Sequence, residues 1–342
     1  MAVMRKKYLE VSIKKVPQFQ LPYWEIDSGK DGPCLMINAA QHGNEIMGCE
    51  VLRRFCPVAS EKLERGRILM LPFINPLALK KRRTNIDSLP CKPKTGSKDD
   101  MNLAWPGRME GTEIEQLVFT INKNLLRDVT HNIDMHCWSR INVTCAWPQE
   151  SKKIMDFARA AALPGMKISS MESASGPITL ARFMNSTGRI AFDMEFSGQY
   201  LLSEKEISRG LRMLSNCSKY LGIFPGEMEG MEEPVICMNE MIEVKASIDG
   251  LFVENGLKPG DYVEKGAMLG TLFSDSTLEN EEVRAPEEGF LGSYGCRRRL
   301  SDVDLAAMHP YASKGDILAG ICSQFTVENE TSFAMLQNQK GF

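Results

Sequence analysis

The sequence predicts an α/β fold, a mixed sheet with helices on both faces, followed by a smaller C-terminal all-β domain. Three observations predict it. Between about residues 33 and 225 short apolar runs alternate with longer stretches of helical period, the pattern of a largely parallel or mixed sheet covered by helices. The stretch "FPGEMEGMEEP" at 224–234 closes that pattern. After it the chain holds only short strands and Gly-punctuated turns.

Taken in order, the amino terminus "MAVMRKKYLEVSIKKVPQF" lacks the apolar centre of a signal peptide, and nowhere do about 18 apolar residues run uninterrupted. A cytoplasmic setting is expected, with no membrane partner. "CLMINAA", "RILMLPFI", "NIDMHC" and "RIAFDMEF" read as buried strands bounded by polar or Gly/Pro punctuation. "EIMGCEVLRRFCPVASEKLER", "EIEQLVFTINKNLLRDVT", "ESKKIMDFARAAAL" and "SEKEISRGLRMLSNCSKYLG" read as helices, with apolar residues returning every three or four positions. The boundaries expected are an α/β domain over 1–235, a β domain over 236–325 and a polar tail over 326–342. Within the β domain, "GLFVENGLKPGDYVEKGAMLGTL" and "GFLGSYGCRRRLSDVDLAAMHPYASKGDILAGI" repeat a Gly-led strand, a Gly-Asp turn and another strand.

The 342 residues suffice for a full core. Hydrophobic residues make up 43% and charged residues 25%, with a net charge of -3, which argues against a nucleic-acid partner and for a small ligand. Ten cysteines are scattered without any C-x-x-C pair, so most are expected to be buried free thiols in a reducing compartment.

The chain has only four histidines. In open α/β sheets ligands gather at the carboxyl ends of strands, and three predicted strands end in residues suited to metal chemistry. "CLMINAAQHGNE" delivers His42 and Glu45, "NIDMHC" delivers His136, and "RIAFDMEF" delivers Glu195. Two imidazoles and a carboxylate leave a fourth position for water, the arrangement of a catalytic zinc site, where the pKa of water falls to about 7. Glu195 is then placed to move a proton from water to a leaving nitrogen. A lone H-x-x-E suits a surface turn better than a metal; with the second His at another strand end the two readings stand about level. Asp134, two residues before His136, either orients it or caps a loop. His131 reads as the end of a helix, and His309, before Pro310, as structural.

These residues, with "NP" at 75–76 and "DMNLAWPG" at 100–107, resemble the succinylglutamate desuccinylase/aspartoacylase family of zinc carboxypeptidase-like hydrolases. "HGNE" is similar to its H-G-x-E ligand pair, "DMHC" to its third-ligand strand end and "DMEFSGQ" to its catalytic-glutamate strand. The resemblance spans about residues 33–322. It implies one Zn2+ on His42, Glu45 and His136, with Glu195 as general base and acid. It also implies an Arg after the N-P element that stabilises the oxyanion: "NPLALKKRRTN" offers Arg82 and Arg83, of which Arg83 is favoured, against a reading of this run as a solvated loop. The family's Asn-Arg pair that grips a substrate carboxylate is Asn102-Leu103 here, and leucine offers no guanidinium fork. Either another Arg takes its place, with Arg82, Arg108, Arg140 and Arg182 the choices, or the substrate is not a free amino-acid carboxylate. Asn102 and Arg82 are therefore the substrate-binding candidates. The β domain is similar to the family's carboxy-terminal domain and to biotinyl/lipoyl-like folds, but "FSDSTLENEEVRAP" has no Lys for a covalent cofactor. The resemblance implies that this domain narrows the site; it equally suits simple packing against the sheet or an oligomer interface.

The expected activity is zinc-dependent hydrolysis of the amide bond of a small N-acylated amino acid or related N-acyl amine. The alternatives are a metallocarboxypeptidase acting on short peptides and a non-catalytic binding protein that keeps the fold. Homo-oligomerisation is left open.

Overall fold

The computed structural model describes residues 2–85, 99–139, 141–171, 178–230, 235–297 and 309–328. The chain opens with a hairpin, β1 (Val3–Ile13) and β2 (Val16–Asp27), which the sequence expectations do not include. Then follow β3 (Cys34–Ala39), α1 (Met47–Lys62), β4 (Arg67–Leu71), α2 (Pro76–Lys81), a 3-10 turn at Met101–Leu103 and α3 (Glu113–Leu125). Next come β5 (His131–Cys137), β6 (Cys145–Trp147), α4 (Lys152–Ala160), β7 (Gly165–Met166), α5 (Leu180–Ser186), β8 (Ile190–Phe196) and α6 (Glu204–Tyr220). The C-terminal part is all strand: β9 (Val235–Lys245), β10 (Gly250–Glu254), β11 (Tyr262–Val263), β12 (Met268–Ser274), β13 (Asn280–Arg284), β14 (Gly289–Arg297), β15 (Tyr311–Ala312) and β16 (Ile317–Glu328).

The large mixed sheet runs β1-β2-β4-β3-β5-β8-β6-β7-β9-β16-β14-β11. Its centre, β4-β3-β5-β8, is parallel. Every residue of β3 and β5 is buried, because helices cover both faces. Alternate side chains feed two cores. Ile37, Ile133, Met135, Phe192 and Met194 pack with residues of α1, α4 and α6; Met36 and Ala191 pack with residues of α3 and α5 on the other side. α1 buries Val51, Leu52 and Phe55 completely, and each such side chain contributes about 1.5–3 kcal/mol. α3 begins at a capping box in which Thr112 and Glu115 satisfy each other's backbone N–H groups.

A second sheet, β13-β12-β10-β15, closes a smaller core that includes Phe252, Leu272, Leu291 and Ile321. The smaller β region is thus present, while β9, β16, β14 and β11 continue the large sheet. No helix among the described residues is long and apolar enough to cross a membrane.

His131 corrects the sequence reading. It opens β5 rather than ending a helix, is 7% exposed, and stands edge-on to Phe157 at 5.3 Å between ring centroids. The helix before it, α3, stops at Leu125, five residues short of the predicted end at Thr130. His309 is exposed, and its Nδ1 accepts the backbone N–H of Tyr311 at 3.0 Å.

Candidate metal centre

Three strand ends meet at one edge of the parallel sheet. β3 ends at Ala39, and the next residue, Ala40, takes a left-handed backbone (φ 59) that turns the chain out of the sheet. The turn Gln41–Glu45 is then clamped onto α2. The Asn75 amide donates to the Gln41 carbonyl at 2.8 Å, and the Gly43 N–H donates to the Arg83 carbonyl at 2.8 Å. Position 43 must be glycine: a Cβ there would lie 2.1 Å from the Ala78 carbonyl oxygen. Asn75 also caps α2, and Pro76 fills its first turn. The N-P element therefore supports the ligand turn from beneath.

Glu45 is the hub. Its Oε1 lies 2.9 Å from His42 Nδ1 and its Oε2 lies 2.8 Å from His136 Nδ1. The two rings stand 5.1 Å apart, and one ligand atom from each of the three residues falls within 4.8 Å of the others. Glu45 is 5% exposed and His136 2%. Burial works against charge on Glu45, but His42 and His136 outweigh it and hold the carboxyl down at about 2. Burial likewise opposes a proton on His42, yet Glu45 and Asp100 raise its pKa to about 10; His136 is raised by Asp134 and Glu45 against the same burial. Two imidazoles gathered on one buried carboxylate form a donor set that a divalent cation fits, releasing protons as it binds.

Each histidine is backed by a carboxylate on its far nitrogen. His42 Nε2 lies 3.0 Å from Asp100 Oδ1. His136 Nε2 lies 3.3 Å from Asp134 Oδ2, a charge contact that is off the line of a hydrogen bond. Asp134 is fully buried and accepts from Asn38 at 2.5 Å and from Gln41. Gln41 is in turn held by the Trp105 indole at 2.9 Å. Such partners fix ring orientation in metal sites. Asp134, His136 and Asp193 form a second cluster of potential ligands, but both Asp134 oxygens are already taken by amides, so the set around Glu45 fits an ion better.

Glu195 stands beside His136 on the neighbouring strand, its direct register partner across β5 and β8. Its Oε2 is shut off from solvent and has no hydrogen-bond partner among the described residues. Burial, then the charge of Glu45, raise its pKa to about 8 against the lowering pull of the two histidines. A partly buried carboxyl group with an unfilled oxygen beside a metal-ligand set suits proton transfer. Gln199, just past β8, donates to Glu45 Oε1 and to the Cys137 carbonyl, each at 3.3 Å.

The remaining candidates fall around this centre. Arg83 is half-buried at the end of the α2 turn, tied to Gly43 through its carbonyl, and its guanidinium has no ion pair among the described residues. Arg82 is exposed, in a left-handed backbone that ends α2. Asn102 lies in the 3-10 turn, its amide oxygen 3.5 Å from Gln41 Nε2. Arg108 is engaged by Glu115 at 2.7 Å and is exposed. Arg182 lies on α5; burial, then the charge of Asp134, raise the pKa of Asp193 to about 7 against the weaker lowering pull of His136, Thr179 and Arg182. Arg140 lies outside the described residues. The sequence reading missed Asp100, Gln41 and Gln199. Asp100 had a signal, since it opens the quoted "DMNLAWPG" segment two residues before Asn102.

A family model for the succinylglutamate desuccinylase/aspartoacylase catalytic domain matches residues 31–221, which include His42, Glu45, His136 and Glu195. The chain belongs to this family. Family members are deacylases, so the chain is assigned to the amide-cleaving hydrolases. Solved structures give the same fold. A succinylglutamate desuccinylase from Silicibacter sp. is 21% identical, covering 95% of each chain with a TM-score of 0.74. An aspartoacylase family protein from Mesorhizobium loti is 20% identical, covering 95% of this chain and 96% of its own, with a TM-score of 0.71. The product-bound ectoine utilization protein EutE (DoeB) from Ruegeria pomeroyi is 20% identical, covering 93% and 95%, with a TM-score of 0.72. No curated protein sequence shows significant similarity.

Proposed function

We propose that this protein is a zinc-dependent deacylase that hydrolyses the amide bond of a small N-acylated amino acid or related N-acyl amine. One observation carries the reading: a buried carboxylate, Glu45, with an imidazole on each oxygen, lies beside a second, partly buried carboxyl group, Glu195, whose Oε2 has no hydrogen-bond partner among the described residues. His42, Glu45 and His136 would hold Zn2+, which supplies Lewis-acid polarisation of the amide carbonyl and acidifies water.

The chain's own residues do the rest. Glu195 takes the proton of the attacking water and returns it to the departing amine nitrogen, so it ends the cycle unprotonated. Asp100 and Asp134 hold the two imidazoles in place, and Arg83 supplies positive charge where the carbonyl oxygen becomes negative. Leu103 removes one means of gripping a carboxylate, leaving Asn102 as the polar contact of that segment. Nine cysteines among the described residues are free and buried, which supports a reducing cytoplasmic setting.

The test is a panel of N-acetyl, N-succinyl and other N-acyl amino acids assayed for amine release, with wild type beside Glu195→Gln. The variant is expected to keep stoichiometric zinc and lose about 10²- to 10⁴-fold in kcat. Unchanged turnover would remove Glu195 from the mechanism, and no release from any amide by zinc-loaded wild type would overturn the deacylase reading.

A further inference from the structure

We propose that β1 is the surface through which two copies of this chain pair, edge to edge and antiparallel, about a two-fold axis at Tyr8. β1 ends the large sheet, with β2 on one side and no strand partner on the other among the described residues. An open edge of this kind presents unpaired N–H and C=O groups to a further strand.

Charge commonly blunts such edges, and β1 carries Arg5, Lys6, Lys7 and Glu10. On the face that buries Val11 and Ile13, Lys7 and Arg5 are engaged by Glu25 at 2.6 and 3.9 Å. Alternation puts Met4, Lys6, Tyr8, Glu10 and Ser12 on the opposite face, and all five are exposed. There Lys6 lies over the Tyr8 ring at 5.4 Å. Glu10 accepts the side-chain amides of Gln20 at 2.5 Å and Gln18 at 3.3 Å, which hold it without neutralising it. Neither Lys6 nor Glu10 has an ion-pair partner among the described residues. This face therefore offers one cation and one anion, evenly spaced about Tyr8.

That spacing makes the strand its own complement. Residues directly opposite in an antiparallel pair point to the same face, so identical strands related by a two-fold set one residue opposite itself. Centred on Tyr8, the pairing puts Lys6 of each copy against Glu10 of the other. Arg5 and Lys7 then lie opposite Val11 and Leu9, and no like charges are opposed. All of Arg5–Val11 precedes the register shift between Val11 and Ile13. Centring on Lys7 would instead oppose two lysines. Centring on Leu9 would put Glu10 against Tyr8, and Lys6 against Ser12 at the register shift. Opposite charges stabilise a cross-strand pair and like charges destabilise it, so the charges select both the partner and the register.

The experiment follows the mass of the full-length protein by sedimentation equilibrium over a concentration series. Wild type is expected to be a reversible dimer. Lys6→Glu, which opposes glutamates at both symmetric positions, is expected to weaken the dimer about tenfold or more, and Glu10→Lys, which opposes lysines, to do the same. An equimolar mixture of the two variants again opposes unlike charges at both positions, and is expected to recover dimer. Both substitutions fall on exposed side chains, and an unaltered melting temperature of the dilute protein checks that each variant is folded. The result does not depend on the reaction at the metal centre. A monomer at every concentration, single variants that dimerise as wild type does, or folded variants that stay monomeric when mixed would each overturn the proposal.

Discussion

His131 shows how one side chain couples the sheet to pH. Burial lowers its pKa from the usual 6.5 to about 4, so the folded chain keeps this imidazole neutral where the unfolded chain protonates it. The stability it helps define is complete above pH 6.5, declines as pH falls toward 4 and changes no further below that, by linkage. At 1.36 kcal/mol per pKa unit the span is about 3 kcal/mol. Urea unfolding of wild type and His131→Phe between pH 7 and 4 is expected to show a shallower decline in the variant; parallel curves would exclude this histidine as a source. The sequence showed His42, Glu45, His136 and Glu195 because strand ends and spacing mark them. It did not show which partner each would find. Asp100 is brought to His42 from 58 residues away in sequence, and Gln41 and Gln199 are ordinary polar residues until the fold aims them. His131 itself was misread because apolar spacing continues from α3 through Leu126 and Val129, with no strand signal until Ile133.

At the scale of elements, the ligand turn and α2 act together. Gly43→Ala would force a Cβ against the Ala78 carbonyl, an overpacking that costs about 1–3 kcal/mol. Because His42 and Glu45 flank the glycine, the variant is expected to lose zinc affinity together with stability, read by zinc titration and urea midpoint. A variant matching the parent in both would remove this packing from the account of the site. The central strands and long helices were legible because burial on both faces leaves continuous apolar runs and helices keep their period. The β1–β2 hairpin was not. Leu9, Val11 and Ile13 alternate as a strand should, and Val11 and Ile13 are buried, but Arg5, Lys6, Lys7, Lys14 and Lys15 dominate the same stretch, and its turn has no Asn-Gly signal. α5 and β7 are too short to carry a period.

For the whole molecule, strand pairing continues across residue 235. β9 pairs with β7 on one side and with β16 on the other. Val143 and Cys145 share a small core with Ile236, Met238 and Cys322. Calorimetry is therefore expected to show one cooperative unfolding transition for the full chain; two well-separated transitions would mean that the halves unfold independently. The smaller β region was legible as a change in texture at the Gly/Glu-rich stretch, whereas its merger with the large sheet depends on pairings that no local pattern encodes.

That merger bears on how the chain is made. β16 follows β9 and β14 in the chain and lies between them in the sheet, so until it arrives the growing protein holds a sticky seam where two ribbons wait for the one that joins them. The strand that joins the two ribbons is thus also the one that hides their open edges.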